Sequence, residues 1–189
     1  MIATIVLLII AVLMVLIAAI ITRALIKKQQ IIGRPPIPVV FFILAKLLVM
    51  VNLAFLMSKG LSMHVEGVFA PVDVTDIIAL VFLVIGAAIL FLSAIALNDD
   101  LIFGLSSSGA HQLRTTGIYS VSRHPFYLGF IFILFSSCLF TPHIVNILSF
   151  GGAWIIHHAI MIKEEEFLGA QYGDEYKRYA QNVKRYITL

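Results

Sequence analysis

The stretch FYLGFIFILFSSCLFTPHIVNILSFGGAWIIHHAIMI (residues 126–162) contains no Asp, Glu, Lys or Arg. An apolar helix needs about 20 residues to cross the hydrocarbon layer of a bilayer, so this stretch offers nearly two passes. It is interrupted by TPH (residues 141–143), where proline favours a turn. We therefore predict a helical hairpin in the membrane, with a short span over 126–140 and a longer one over 144–162.

The rest of the chain has the same character. Of its 189 residues, 61% are hydrophobic and 12% are charged, and the mean hydropathy is +1.04. A soluble domain of this size would leave much of that apolar surface in water. Further apolar runs cover residues 2–22, 39–57 and 75–97. We predict an all-α polytopic membrane protein with five transmembrane helices, forming one domain over 1–189.

Positive charges predict the orientation of these spans. Basic segments follow spans one, three and five, whereas the segment after span two has one lysine and two acids. Basic loops tend to stay on the cytoplasmic side. We predict that the N-terminus is outside and that the 98–122 loop faces the cytoplasm. The charged tail after residue 162 should form a cytoplasmic amphipathic helix. Orientation accounts for the net charge of +3, so we expect no nucleic-acid partner.

The sequence SRHPFYLGF (residues 122–130) precedes the short span. Pro125 suits the first position of a helix, because its missing N–H would be unpaired there anyway. The amides of Phe126 and Tyr127, together with Arg123, could form a seat for an anion. The alternative is an interfacial anchor of Arg, His and Tyr, which is a common feature of membrane helices.

Three consecutive glutamates, residues 164–166, follow span five. The C-terminal end of a helix favours cations, so a cationic ligand or the arginines of the preceding loop should compensate these charges. Tyr172, Tyr176 and Tyr179 then recur at helical intervals. For this stripe we predict a helix that lies on the lipid surface.

The C-terminal half carries three ordered motifs, H-x-L-x-x-x-G-x-Y, R-H-P-x-Y-x-G and E-E-x-x-L, followed by YGDEYKRY. Their residues are His111, Leu113, Gly117 and Tyr119, then Arg123, His124, Pro125, Tyr127 and Gly129, and finally Glu164, Glu165 and Leu168. In this order they resemble the isoprenylcysteine carboxyl methyltransferase family, although the first two spans carry nothing distinctive. The lack of extra loops suggests a compact prokaryotic member in the cell membrane.

The resemblance implies a membrane methyltransferase that uses S-adenosylmethionine without a Rossmann domain, with the cofactor-binding half over about 98–189. By motif position, the cofactor-binding residues would be His111, Gln112, Leu113, Arg114, Tyr119, His124, Pro125, Phe126, Tyr127 and Glu165. Arg123 and His124 would form the catalytic centre. The acceptor would be a prenylcysteine-like or other lipophilic molecule that reaches the site from the bilayer.

One departure from the family pattern concerns the acceptor. Eukaryotic members carry an arginine where this chain has Met161, so Met161 falls in the expected substrate site and Arg123 or Lys46 could supply the missing charge. Lys46 lies about 12 Å along span two. A lysine near the bilayer centre costs roughly 2.5–3.5 kcal/mol, which favours a functional role. Snorkelling of its side chain to the interface is the alternative.

Three other functions remain open. A phospholipid N-methyltransferase would share the cofactor and differ in the acceptor. A membrane sterol-type reductase would bind NADPH, whose phosphates the glutamate run would repel. A non-catalytic membrane scaffold would bind neither cofactor. We expect no metal site, because the chain has no H-E-x-x-H and no paired cysteines.

Overall fold

A computed structural model describes residues 1–27, 33–68, 73–97 and 113–188. These residues form six α-helices, a short 3-10 helix (Gly117–Ser120) and no β-strand. The α-helices are α1 (Ile2–Ile26), α2 (Val39–Gly60), α3 (Asp73–Leu97), α4 (Pro125–Phe140), α5 (Ile144–Tyr172) and α6 (Asp174–Asn182).

The helices confirm an all-α polytopic membrane protein. Four of them, α1, α2, α3 and α5, are long and apolar enough to cross a bilayer. The fifth apolar helix, α4, has 16 residues and is therefore only about 24 Å long. The turn between α4 and α5 is tight, and the Nδ1 atom of His143 accepts a hydrogen bond from the Val145 amide at its end.

The end of α5 differs from the prediction. The apolar run stops at residue 162, but the helix continues through the three glutamates to Tyr172. It ends at Gly173, whose φ of +54° is a conformation that glycine adopts readily. The glutamates therefore lie well before the end of the helix, and the unfavourable dipole at a helix terminus no longer acts on them directly.

The short helix α4 lies at the centre of the bundle and makes its closest contact with α3. The two backbones cross at Gly86 and Gly129. A Cβ atom added to Gly129 would lie 2.9 Å from the carbonyl oxygen of Gly86 and 3.0 Å from the amide nitrogen of Leu90. Small residues permit such close approach of membrane helices. Around this crossing, buried side chains of α1, α2, α3 and α4 form the main apolar core, namely Val6, Leu56, Ala79, Leu83, Leu90, Ile133 and Phe140.

On its other side α4 contacts α2 and α5. Val49, Leu134 and Ala153 form a second buried cluster there, one residue from each helix. A Cβ atom on Gly152 would lie 3.0 Å from the Leu48 side chain, so α2 and α5 also pack closely.

A polar network ties the same three helices together at one end of the bundle. The buried Asn146 side chain donates to the Thr141 carbonyl at 2.9 Å and to the Ser137 hydroxyl at 3.1 Å. Ser137 in turn donates to the carbonyl of Asn52 on α2 at 2.8 Å. Hydrogen bonds between membrane helices are worth about 0.6–2 kcal/mol each, so this network helps to fix the arrangement of α2, α4 and α5.

We expect Gly129→Ala to destabilise the protein by about 1–3 kcal/mol, because the added methyl group would push α3 and α4 apart. The measurement is the midpoint of thermal unfolding in detergent micelles. Gly151→Ala is the matched control, since a Cβ atom there would meet nothing within 4 Å. Equal midpoints for the two variants would contradict the close crossing of α3 and α4.

Candidate active site

The segment before α4 is held by the hydroxyl group of Ser122. Pro125 occupies the first turn of α4, as the sequence predicted. Just before it, the buried Ser122 Oγ accepts a hydrogen bond from the His124 amide at 3.1 Å and donates to the Arg185 carbonyl at 3.0 Å. Ser122 therefore joins the start of α4 to the segment that follows α6.

That C-terminal segment runs back along residues 121–123. The amide of Arg123 donates to the Lys184 carbonyl at 3.0 Å, and the amide of Thr188 donates to the Val121 carbonyl at 2.8 Å. These main-chain bonds bring the side chains of Arg123 and Arg185 to the same end of α5.

Glu165 on α5 is the centre of an ionic cluster at this end. Arg185 binds it through two hydrogen bonds, from Nε to Oε1 and from Nη2 to Oε2, each 2.8 Å long. Arg123 Nη2 lies 3.1 Å from Oε1, and His124 Nε2 lies 3.2 Å from the same oxygen. The Glu165 side chain is only 13% exposed, so these partners offset the free-energy cost of burying its charge. The hydrogen bonds to Glu165 also raise the pKa of Arg185, which keeps that guanidinium charged.

Glu164 lies beside this cluster and faces α4. The Tyr127 hydroxyl donates to Glu164 Oε1 at 2.6 Å, and His124 Nδ1 lies 3.7 Å from Oε2. The two ring nitrogens of His124 therefore face two different carboxylates. The Tyr127 ring also lies 5.7 Å from the ring of His157, which is about two turns before Glu164 on α5.

Among the residues that the structure describes, two buried polar side-chain atoms have no hydrogen-bond partner, and both are at this site. They are Arg123 Nε and the Tyr176 hydroxyl. Arg123 Nη1 donates to the Ala180 carbonyl at 3.1 Å, so its guanidinium lies against α6, one turn from Tyr176. Burial raises the pKa of Tyr176 to about 12, so this hydroxyl keeps its proton at neutral pH. Unpaired buried donors are rare, so both atoms retain the capacity to donate to an acceptor such as a ligand oxygen or a water molecule.

Comparison with known proteins identifies the family. The sequence profile of the phospholipid methyltransferase family matches residues 74–175, which include α4, His124, Glu164 and Glu165. The chain belongs to this family. No solved structure matches it.

Two curated relatives are similar to a smaller part of the chain. The chain is 32% identical over 80 residues to a Protein-S-isoprenylcysteine O-methyltransferase of Schizosaccharomyces pombe, covering 42% of this chain and 34% of the relative. It is 34% identical over 74 residues to the protein of the same name from Dictyostelium discoideum, covering 39% of this chain and 31% of the relative. The similarity thus spans about a third of the length of these relatives.

In this member of the phospholipid methyltransferase family, the structure brings four of the predicted site residues together. They are Arg123, His124, Tyr127 and Glu165. Tyr119 is buried close by, and its carbonyl accepts a hydrogen bond from the Tyr179 hydroxyl at 2.7 Å.

The other predicted residues have varied surroundings. Leu113 packs against a cluster of tyrosines, Arg114 is exposed, and Phe126 packs against the main apolar core. Met161 is fully buried in α5, whereas Lys46 is exposed on α2. His111 and Gln112 lie outside the described residues, as does most of the 98–122 loop.

The prediction for the tyrosine stripe is wrong. Tyr176 and Tyr179 do not face lipid but are buried against Leu113, Leu168 and Val183. An amphipathic pattern shows that one face of a helix is covered without showing what covers it, and here protein covers it.

Sequence reasoning missed Arg185 and Tyr176, and it gave Glu164 no role of its own. The unbalanced charge of three adjacent glutamates was the available signal. It predicted either a cationic ligand or the arginines of the preceding loop, and of these Arg123 does pair with Glu165. The strongest partner of Glu165 is nevertheless Arg185, which follows α6 in the sequence.

We expect Arg185→Gln to loosen the C-terminal segment, because it removes two charge-assisted hydrogen bonds. Hydrogen–deuterium exchange should show the amides of Arg123 and Thr188 exchanging about tenfold faster or more. Arg178→Gln on the exposed side of α6 is the matched control and should leave both rates unchanged. Unchanged protection in the Arg185 variant would mean that Glu165 does not hold the segment in place.

Proposed function

We propose that this protein is a membrane methyltransferase that transfers a methyl group from S-adenosylmethionine to the carboxylate of a lipophilic, prenylcysteine-like acceptor. The observation that carries the proposal is the partly buried ionic cluster of Glu165 with Arg123, His124 and Arg185, with Glu164 beside it, at one end of a bundle of apolar helices. The family profile and the names of the two partial relatives support the same chemistry.

The residues of the cluster suit the charges of S-adenosylmethionine, which bears a carboxylate, an ammonium group, ribose hydroxyls and a sulfonium cation. Arg123 Nε and the Tyr176 hydroxyl are unpaired donors that could bind the carboxylate. Glu164 is an acceptor for the ammonium group, since Tyr127 donates to only one of its two oxygens. The remaining members of the proposed site are residues 111–112, Leu113, Arg114, Tyr119, Pro125 and Phe126.

Glu165 has a different role in this proposal. Both of its oxygens already accept hydrogen bonds from Arg185, so it is poorly available to a ligand. Glu165 instead orients Arg123 and His124, the two residues proposed for the catalytic centre. Loss of its charge would leave three basic side chains without a common partner.

Methyl transfer requires little from the protein except that it position the cofactor and the acceptor. When bound, S-adenosylmethionine supplies a methyl group that is already activated on a sulfonium. An ionised carboxylate needs no general base, so Arg123 and His124 would act by holding the reactants in line and by helping to exclude water. α6 and the C-terminal segment cover the polar side of the cluster. The proposed pocket lies between α4 and α5, and a lipophilic acceptor would reach it sideways from the bilayer.

The proposed setting is the cell membrane, with the N-terminus outside and the cluster facing the cytoplasm. Basic segments after the first, third and fifth apolar helices support this orientation. One domain over 1–189 would then hold both substrates, with the cofactor bound by about residues 98–189.

A second candidate is methylation of a phospholipid amine, which the description of the family profile favours. It would use the same cofactor site, and the acceptor alone would differ.

We expect the wild-type protein in detergent to bind S-adenosylmethionine and S-adenosylhomocysteine with micromolar affinity, and not to bind NADPH. Glu165→Ala and His124→Ala should each abolish this binding, because either change breaks the cluster that Arg123 depends on. Equilibrium binding is the measurement, with thermal unfolding as a check that the variants are folded. Glu166→Ala is the control, because Glu166 is exposed and pairs only with Lys163 among the described residues.

If both variants bound S-adenosylmethionine with wild-type affinity, the cluster would not be part of the cofactor site. Binding of NADPH in place of S-adenosylmethionine would identify a reductase, and binding of neither would favour a scaffold.

Tyr176→Phe tests the donor proposed for the cofactor carboxylate. We expect the affinity for S-adenosylmethionine to fall about tenfold, while the affinity for its decarboxylated analogue stays the same. Tyr172→Phe is the control, because the Tyr172 hydroxyl is paired with Gln171 at the surface. An equal loss for both ligands would assign Tyr176 to folding and not to the carboxylate.

A further inference from the structure

Lys46 is a basic residue within the apolar part of α2, and it lies outside the segment that matches the family profile. Its side chain is exposed at the surface of the bundle, where the neighbouring residues are apolar. The Nζ atom lies 4.9 Å from the centre of the Phe42 ring, one turn nearer the start of α2. The side chain therefore extends back toward the beginning of the helix.

The packing of α2 on α5 shows which residues of α5 lie opposite Lys46. Asn52 is linked through Ser137 to Asn146, whereas Leu48 meets Gly152. Later residues of α2 therefore lie opposite earlier residues of α5, so the two helices run antiparallel. The next turn of α2 toward its start contains Lys46, and the next turn of α5 contains His157.

Beyond His157, α5 leads directly to the ionic cluster. His157 contacts the ring of Tyr127, and Tyr127 donates to Glu164. Because α2 and α5 are antiparallel and the Lys46 side chain extends toward the start of α2, its ammonium group lies toward the same end of α5 as Glu164. Lys46 therefore stands at the lipid-facing edge of the proposed active site.

Within the described parts of the chain, the Lys46 ammonium group has no hydrogen bond and no ion pair, and it contacts the ring of Phe42. A single cation–π contact is a weaker interaction than the desolvation that a lysine suffers at this depth. By contrast, Lys59 at the other end of α2 is paired with Asp76 at 2.7 Å. Lys46 thus retains donors for a group that arrives from the bilayer.

We infer that Lys46 binds the carboxylate of the lipophilic acceptor and makes the enzyme selective for anionic acceptors. The inference rests on the proposed function, because it takes the ionic cluster as the cofactor site. A carboxylate that enters the proposed pocket from the lipid side, near the start of α2, passes the Lys46 ammonium group. A protonated amine, as in phosphatidylethanolamine, would be repelled by the same charge.

The test compares binding of a carboxylate acceptor with binding of its neutral ester. The protein in lipid nanodiscs is titrated with N-acetyl-S-farnesylcysteine and with its methyl ester. The wild-type protein should prefer the acid. Lys46→Met should weaken binding of the acid roughly 10- to 100-fold and leave binding of the ester unchanged, so that the preference is lost. Lys46→Arg should retain it.

Two controls separate this effect from damage to the fold or to the cofactor site. Lys59→Met makes the same change at the other end of α2 and should preserve the preference for the acid. The affinity for S-adenosylhomocysteine should be the same in the wild type and in both Lys46 variants.

The inference is overturned if Lys46→Met still prefers the acid, or if the wild type never does. Methylation of phosphatidylethanolamine that depends on Lys46 would also overturn it, because the acceptor would then be an amine. A different result marks failure of the proposed function: if the wild type binds the acid through Lys46 but transfers no methyl group to it, the anion site stands and the reaction is wrong.

Discussion

The carboxylate of Glu165 is the constraint on which the charged end of this molecule depends. A carboxylate held next to apolar helices is costly unless cations surround it. Arg123 comes from the loop before α4, and Arg185 comes from the C-terminal segment. Because Arg185 is also tied to that loop through the Ser122 hydroxyl, pairing with Glu165 fixes α5, the loop and the tail in one arrangement. Every other contact proposed for the cofactor is built on this arrangement.

The apolar part of the bundle brings the two halves of the cluster together. The close crossing at Gly86 and Gly129 fixes α4 against α3, and the network around Asn146 fixes α4 against α2 and α5. With α4 and α5 held as a hairpin, Tyr127 and Glu164 meet at the far end from the turn. Packing in the membrane thus determines a hydrogen bond at the proposed active site.

The sequence predicts well those features that depend on a continuous run of residues. Apolar length predicts the membrane helices, and Pro125 predicts the start of α4. Features that depend on a partner far away in the chain are harder to predict from the sequence, because no local spacing of residues indicates them. Arg185 pairs with Glu165 only because α6 turns the chain back, and the amphipathic pattern of α6 would be the same on lipid or on protein. Asn52 and Asn146 were missed for the same reason, as each is satisfied across helices.

The cluster around Glu165 is proposed to serve the methylation of a lipophilic carboxylate. The most direct measurement is to incubate the protein in nanodiscs with N-acetyl-S-farnesylcysteine and with S-adenosylmethionine that carries a radiolabelled methyl group. The extracted lipophilic product is then treated with base, which releases methanol from a methyl ester but leaves an N-methyl group intact. We expect label that depends on the acceptor and that base releases. Base-stable label in the phospholipid, or no transfer by protein that binds the cofactor, would contradict the proposal.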